Sequence, residues 1–248
     1  MSFTIAISGK GGTGKTTLAG MIIRFLLDRG KGPILAVDAD SNSNLNEILG
    51  VKIRSTIGEA RETMRKDVPV GMTKDIWIEY KVQEALVEAK GFDLIAMGRP
   101  EGPGCYCAVN TLARRCLDLL TGNYQYIVID NEAGMEHFSR LTTRDVDLLF
   151  IVSDSSQRGI LTSSRIRDLI HELDLHIVRE VLVINRIQGE PGPGILEDVK
   201  KQNLELGGIL PVDEEVYRYD SEGKPTFELP SESKAVQAAR KIFEKYIQ

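Results

Sequence analysis

Gly9-Lys10-Gly11-Gly12-Thr13-Gly14-Lys15-Thr16-Thr17 decides the fold, because it leaves an apolar run and opens a helical pattern. Residues 3–8 read as a buried strand and 18–28 as the helix that follows. That strand–loop–helix setting makes G-x-x-x-x-G-K-[ST] a phosphate-binding loop rather than a glycine-rich turn. The glycines let the backbone bend until successive N–H groups aim at phosphate oxygens. The helix start adds the positive end of its dipole. Gly11, Gly12, Thr13, Gly14, Lys15, Thr16 and Thr17 are therefore the expected nucleotide contacts. Lys15 should reach the β- and γ-phosphates, and the Thr16 hydroxyl should take a Mg²⁺ position. The implied ligand is a nucleoside triphosphate.

Lys10 is surplus to a loop that needs only Lys15. With it, the string resembles the deviant Walker A family, which includes MinD, ParA, the arsenical pump ATPases and the nitrogenase iron protein. The resemblance implies that Lys10 reaches across a two-fold axis to the partner's nucleotide. It also implies a catalytic role for Lys10 beside Lys15, and a homodimer formed on nucleotide binding.

Around the loop, aliphatic runs alternate with helical patterns along nearly the whole chain. The expected strands are 4–8, 34–38, 93–97, 126–130, 148–153, 181–185 and 208–210. The expected helices are 16–29, 56–66, 109–121, 159–173, 195–203 and 233–246, with an irregular helical excursion over 66–91. This alternation implies an α/β fold: a single doubly wound, mostly parallel sheet of about seven or eight strands flanked by helices. The 248 residues suit one domain spanning 1–248. Loops leaving the carboxyl ends of such strands gather along one edge, which should bring distant motifs to the phosphate loop.

Bulk properties narrow the setting. A net charge of −5 without a basic tail argues against a dedicated nucleic-acid partner. No apolar run approaches the ~18 residues of a membrane span, and strand residues begin at Phe3, where a signal peptide would lie. Three cysteines do not make a disulfide framework, so a reducing, cytoplasmic location is expected.

Asp38-Ala39-Asp40-Ser41-Asn42-Ser43-Asn44 follows the second strand. By resemblance, Asp40 is the catalytic carboxylate that orients the attacking water, and Asn44 lies where a second polar switch residue is common. Asp38 ends the strand and is placed to touch Mg²⁺ through water; a turn or helix-cap role is the other reading of Asp38 and Asn44. The run 126–130 is apolar and ends in Asp130, the Walker B pattern that supplies an outer Mg²⁺ ligand. Asn131-Glu132-Ala133-Gly134 resembles the second switch, where Gly134 can flex toward the γ-phosphate. Asn185-Arg186-Ile187-Gln188 has Gln188 where a guanine-reading aspartate would stand, which points to ATP rather than GTP. In the family, that asparagine and a later Pro-x-Asp segment surround adenine, so Asn185, Pro211 and Asp213 are the implied base contacts.

The loop after 93–97 carries Cys105-Tyr106-Cys107 behind Gly102-Pro103-Gly104. If extended, the two thiols project to one side. The helical pattern behind them should favour thiolates with its dipole, while Cys116 falls on an apolar stripe and reads as core. Two thiolates cannot close a tetrahedral site, but two chains supply four sulfurs, a soft-metal set. Structural cysteines or a redox pair are the other readings of a C-x-C alone. The run 98–107, with Asp130-Asn131-Glu132-Ala133-Gly134-Met135-Glu136-His137, resembles the CooC-type maturation ATPases over essentially the whole chain. One departure is Asn131, where a bulkier apolar residue is common. The resemblance implies an ATP-dependent metallochaperone that holds Ni²⁺, or Zn²⁺, on Cys105 and Cys107 across a homodimer. The client would be carbon monoxide dehydrogenase or acetyl-CoA synthase. A MinD- or ParA-like positioning ATPase and an iron–sulfur carrier are the alternatives from other classes. His137 lies beside the second switch, where a transient ligand could sit, and His171 and His176 read as helix-surface and helix-end residues; none of the three is expected to be a metal ligand.

Overall fold

β1 (Phe3–Gly9) is apolar on both faces, so it can sit only at the centre of a covered sheet. In the computed structural model, which describes residues 2–60, 69–99, 118–133, 145–173 and 175–247, that is where it lies. Ile5 and Ile7 enter one hydrophobic core and Ala6 the other, the period-two alternation of a strand buried on both sides.

The chain runs from β1 through α1 (Lys15–Asp28), β2 (Ile34–Asp38), α2 (Leu45–Leu49), α3 (Lys74–Ala85), β3 (Val87–Glu88) and β4 (Phe92–Ala96). It continues through β5 (Tyr126–Asp130), β6 (Asp145–Ser153), α4 (Gln157–Glu172) and β7 (His176–Ile187). The last elements are α5 (Pro193–Lys201), β8 (Leu206–Pro211), α6 (Glu214–Ser221) and α7 (Lys234–Tyr246). Among the described residues, eight strands form one sheet in the order β3-β4-β2-β5-β1-β6-β7-β8. All pairings are parallel except the short edge pair β3–β4. The expected doubly wound α/β architecture is present, with β3 as an addition.

Helices cover both faces. Leu18, Ile22, Phe25 and Leu26 of α1 pack with Ala239, Ile242 and Phe243 of α7 on one side. Phe243 meets Phe25 and Phe150 edge-on, at centroid separations of 5.5 and 5.9 Å. Each such side chain withdrawn from water contributes about 1.5–3 kcal/mol. The opposite face is covered by Ile78 and Val82 of α3, Ile160, Ile166 and Ile170 of α4, and Val199 of α5.

The expected helix over 56–66 is helical at 57–60, and that over 109–121 at 118–120. Their remainders, with Cys105, Cys107, Cys116, Gly134 and His137, lie outside the described residues. β6 and β7 start earlier than their apolar runs, and His176 begins β7 rather than ending a helix. Among the described residues no helix is long and apolar enough to cross a membrane.

Candidate nucleotide site

The carboxyl ends of β1, β2, β4 and β5 are stitched together by backbone bonds. Ala39 N–H donates to Asp130 C=O at 2.9 Å, Asn131 N–H to Ile7 C=O at 3.1 Å, and Met97 N–H to Asp38 C=O at 2.9 Å. The edge predicted to collect the loops therefore does so for the phosphate loop and both switch segments. Asn131, the departure from the expected apolar residue, is buried and donates its side-chain amide to Ile7 C=O at 3.0 Å. It ties the second switch to the strand that feeds the phosphate loop.

Two glycines of the loop are required by geometry. Gly9 has φ +148°, and a Cβ there would lie 2.1 Å from the Val152 carbonyl oxygen of β6. Gly14, at φ +91°, precedes α1, and a Cβ there would lie 2.4 Å from Asn185 Nδ2. Both conformations lie where side chains are disfavoured. Within the loop, the Thr13 hydroxyl and Lys15 Nζ both donate to Lys10 C=O, at 2.8 and 3.5 Å. Burial lowers the Lys15 pKa, and the charges of Asp130, Asp40 and Glu132 oppose that shift. A buried ammonium at a helix N-terminus is suited to phosphate.

Asp38 and Asp130 are register partners on adjacent strands. Burial, and then repulsion from Asp130 against hydrogen bonds from Leu45 and Asp40, leaves Asp38 raised to about 7. Burial likewise raises Asp130 to about 7, although the Thr16 hydroxyl and the Lys15 charge pull it down. Asp130 Oδ1 is buried and has no hydrogen-bond partner among the described residues. An oxygen-only donor set of Thr16, Asp130 and Asp38 fits Mg²⁺, which uses one or two carboxylates with substrate phosphates instead of an all-protein cage. Among the described residues no group of three or more His, Cys, Asp or Glu side chains is arranged to hold a metal ion. When bound, Mg²⁺ would neutralise developing charge on the β- and γ-phosphate oxygens.

The first switch folds back on itself. Asp40 N–H donates to Asp38 Oδ1 at 3.1 Å, and Asn42 N–H donates to Asp40 Oδ1 at 2.8 Å. Asn44 occupies the position before α2 without capping it; Asp38 Oδ2 accepts from Leu45 N–H at 3.0 Å in its place. Across the site, the Ser41 hydroxyl lies 3.3 Å from Glu132 Oε1.

Beside the loop opens a cleft of about 470 Å³ lined by Gly14, Thr17, Asn185, Pro211, Asp213 and Tyr217 among others. The three expected base contacts thus share a wall with the phosphate loop. Asn185 Nδ2 donates to Thr13 C=O at 2.8 Å. The Asp213 carboxylate is engaged by Glu215 N–H, Ala235 N–H and the Ser233 hydroxyl at 2.9, 2.9 and 2.6 Å. It ties the starts of α6 and α7 to the cleft.

Four residues escaped the sequence reading. Arg186, at φ +59°, lines the same cleft, donates to Gly12 C=O at 3.0 Å and braces the loop. Asp154 holds Lys10 at 3.7 Å, and Ser41 meets Glu132 across the two switches. Arg186 and Asp154 had a local signal only in their position just past the carboxyl ends of β-rich runs.

A family model described as the CobQ/CobB/MinD/ParA nucleotide binding domain matches residues 4–227. The chain belongs to this family. An uncharacterized ATP-binding protein of Methanocaldococcus jannaschii is 42% identical over 98% of each chain. The carbon monoxide dehydrogenase accessory protein CooC of Rhodospirillum rubrum is 31% identical over 91% of this chain and 89% of that one. The structure of the septum site-determining protein MinD complexed with Mg-ADP from Pyrococcus horikoshii covers 100% of this chain and 97% of its own, with TM-score 0.71. At 22% identity it speaks to the fold alone. As a CobQ/CobB/MinD/ParA protein with an intact phosphate loop, the chain is an ATPase.

Proposed function

We propose that this ATPase is a metallochaperone. Two chains close over ATP and Mg²⁺, with Lys10 of each reaching the other's nucleotide and Asp40 orienting the attacking water. Closure brings Cys105 and Cys107 of both chains around one Ni²⁺, the cargo, for which Zn²⁺ competes because the thiolates bind either metal. Hydrolysis reopens the pair, breaks the four-sulfur set and releases the metal to a carbon monoxide dehydrogenase or acetyl-CoA synthase.

One observation carries this reading. The chain leaving β4 toward Cys105 starts at the nucleotide edge, where Met97 N–H donates to the carbonyl of Asp38. The 31% identity with CooC, a carbon monoxide dehydrogenase accessory protein, supports the same client class.

The deciding experiment is nickel titration of the purified protein with ADP and then ATP, followed by sedimentation. Replacing both Cys105 and Cys107 with Ser should remove dimer-linked nickel and leave ATP binding intact. Unchanged nickel stoichiometry in that variant would end the metallochaperone reading. Lipid or DNA co-sedimentation would indicate a positioning ATPase, and brown colour an iron–sulfur carrier.

A further inference from the structure

Tyr217 and Tyr219 share one short helix, α6, and meet different surroundings. Tyr219 packs against the core, with the Arg218 guanidinium and the Lys224 ammonium 5.5 and 5.9 Å from its ring centroid. Tyr217 is 76% exposed and lines the cleft beside the phosphate loop. Asp213, Val216 and Asp220 line the same cleft. With Tyr217 they fall at helical i, i+3, i+4 and i+7 spacing, which puts them on one face of α6. That face is a wall of the cleft, and Tyr217 is its aromatic part. The wall is fixed at its start, where the Asp213 carboxylate joins α6 to α7.

The cleft's own chemistry narrows what meets that ring. Leu18 and Met21 of α1, Leu210 of β8 and Ala235 of α7 give it a buried apolar lining. Three polar side chains in it already have protein partners. Asn185 gives its amide to Thr13 C=O and accepts Arg186 N–H on Oδ1. Arg186 donates to Gly12 C=O, and Asp213 accepts its three bonds from α6 and α7. The apolar lining and the exposed ring are left free, surfaces suited to a flat heterocycle whose faces need no hydrogen bond. Gly14 and Thr17 of the phosphate loop belong to the same cleft. A nucleotide held there by its phosphates therefore brings its base to this wall.

We propose that Tyr217 holds the base of the bound nucleotide by stacking its ring on the purine face. The inference concerns the ATPase itself and stands whatever cargo is served. Stacking of a base on an aromatic side chain accounts for about 5- to 150-fold in affinity. The base takes no part in the chemistry, so this contact is made equally before and during hydrolysis. Its loss falls on KM for ATP and not on kcat.

Isothermal titration with Mg-ADP reads the contact. Tyr217→Ala should weaken binding by about 5- to 150-fold, and Tyr217→Phe should restore it, because the ring and not the hydroxyl is used. Tyr217→Leu covers the cleft without a π face and should stay close to alanine. Steady-state ATP hydrolysis by Tyr217→Ala should show the same factor in KM. A direct signal is also available, because the chain has one tryptophan, Trp77. Tyr217→Trp adds a second emitter, read against the unmodified chain, and Mg-ADP should quench the added emission as the base stacks on it. Mg-ADP bound as tightly by Tyr217→Ala as by the unmodified chain overturns the proposal. So does a phenylalanine as weak as alanine, a leucine as good as phenylalanine, or added emission that Mg-ADP leaves unchanged. A loss confined to kcat overturns it as well, and would assign Tyr217 to the reaction or to the closed pair.

Discussion

In the single chain, Lys10 Nζ lies 3.7 Å from Asp154 Oδ2, at the residue that follows β6. Burial pushes Asp154 up, but hydrogen bonds from Ser156 and the Lys10 charge outweigh it and hold the carboxylate below its ordinary range. The lysine proposed to cross to a partner is therefore restrained at home. An exposed pair of this kind contributes about 0.2–1 kcal/mol, and two are released per dimer. Asp154→Ala should tighten ATP-dependent dimerisation by about 2- to 30-fold, whereas Lys10→Ala should abolish it. Sedimentation velocity across protein concentrations measures both. A weaker dimer in Asp154→Ala would mean that Asp154 serves the closed pair and not the open chain.

Asn185 and Gly14 form the second tight relationship. The amide of Asn185 supports Thr13 from the cleft side, and nothing larger than glycine fits at Gly14 without striking it. Asn185→Ala removes the bond to Thr13 and the side-chain acceptor that holds Arg186 N–H at 2.8 Å. Two bonds at about 0.5–1.5 kcal/mol each predict nucleotide binding weaker by roughly 5- to 150-fold. Isothermal titration with Mg-ADP reads this. Gly14→Ala should lose binding altogether while the far side of the sheet melts normally.

How much of this was legible depended on where the signal lay. β2 and β5 were read to the residue, because both are apolar throughout and each ends in a buried aspartate. β6 and β7 were read short. Their amino ends carry Asp145, Asp147, Arg179 and Glu180, and Val178 is 67% exposed, so backbone pairing continues where burial does not. α6 gave no apolar stripe and is started by Asp213, a cap recognised only as a base contact. The phosphate loop is local and was visible, but Arg186 braces it from 174 positions away. Nothing in either segment announces that pairing.

Asp213 offers a pH-dependent test of stability. Burial raises its pKa, but bonds from Ala235 N–H, the Ser233 hydroxyl and Glu215 N–H overcome this and lower it. Its folded value thus lies below the unfolded value of about 3.9. The carboxylate contributes stability in full above the unfolded pKa, and loses it as pH falls through the folded one. Asp213→Ala should cost about 1–3 kcal/mol at pH 7, or roughly 2–12 °C in Tm. The two proteins should converge only once pH has fallen below the folded pKa. A gap that persists in acid would assign the loss to packing in place of the charged cap.

Asp40 separates shape from charge at the reacting centre. Its carboxylate both accepts from Asn42 N–H and sends its negative charge to Lys15. Asparagine keeps an acceptor for the turn and removes the charge, whereas alanine removes both. Asp40→Asn should therefore bind Mg-ATP normally yet hydrolyse it about 10²–10⁴-fold more slowly, the usual scale for a positioned proton acceptor. Asp40→Ala should add a defect in the Asn42 turn, visible as faster hydrogen exchange at residues 41–43. Phosphate release at saturating ATP distinguishes them. If Asp40→Asn turns over normally, the water is held by another carboxylate. Glu132 is the candidate, because its charge also reaches Lys15 and the Ser41 hydroxyl already holds it against the first switch.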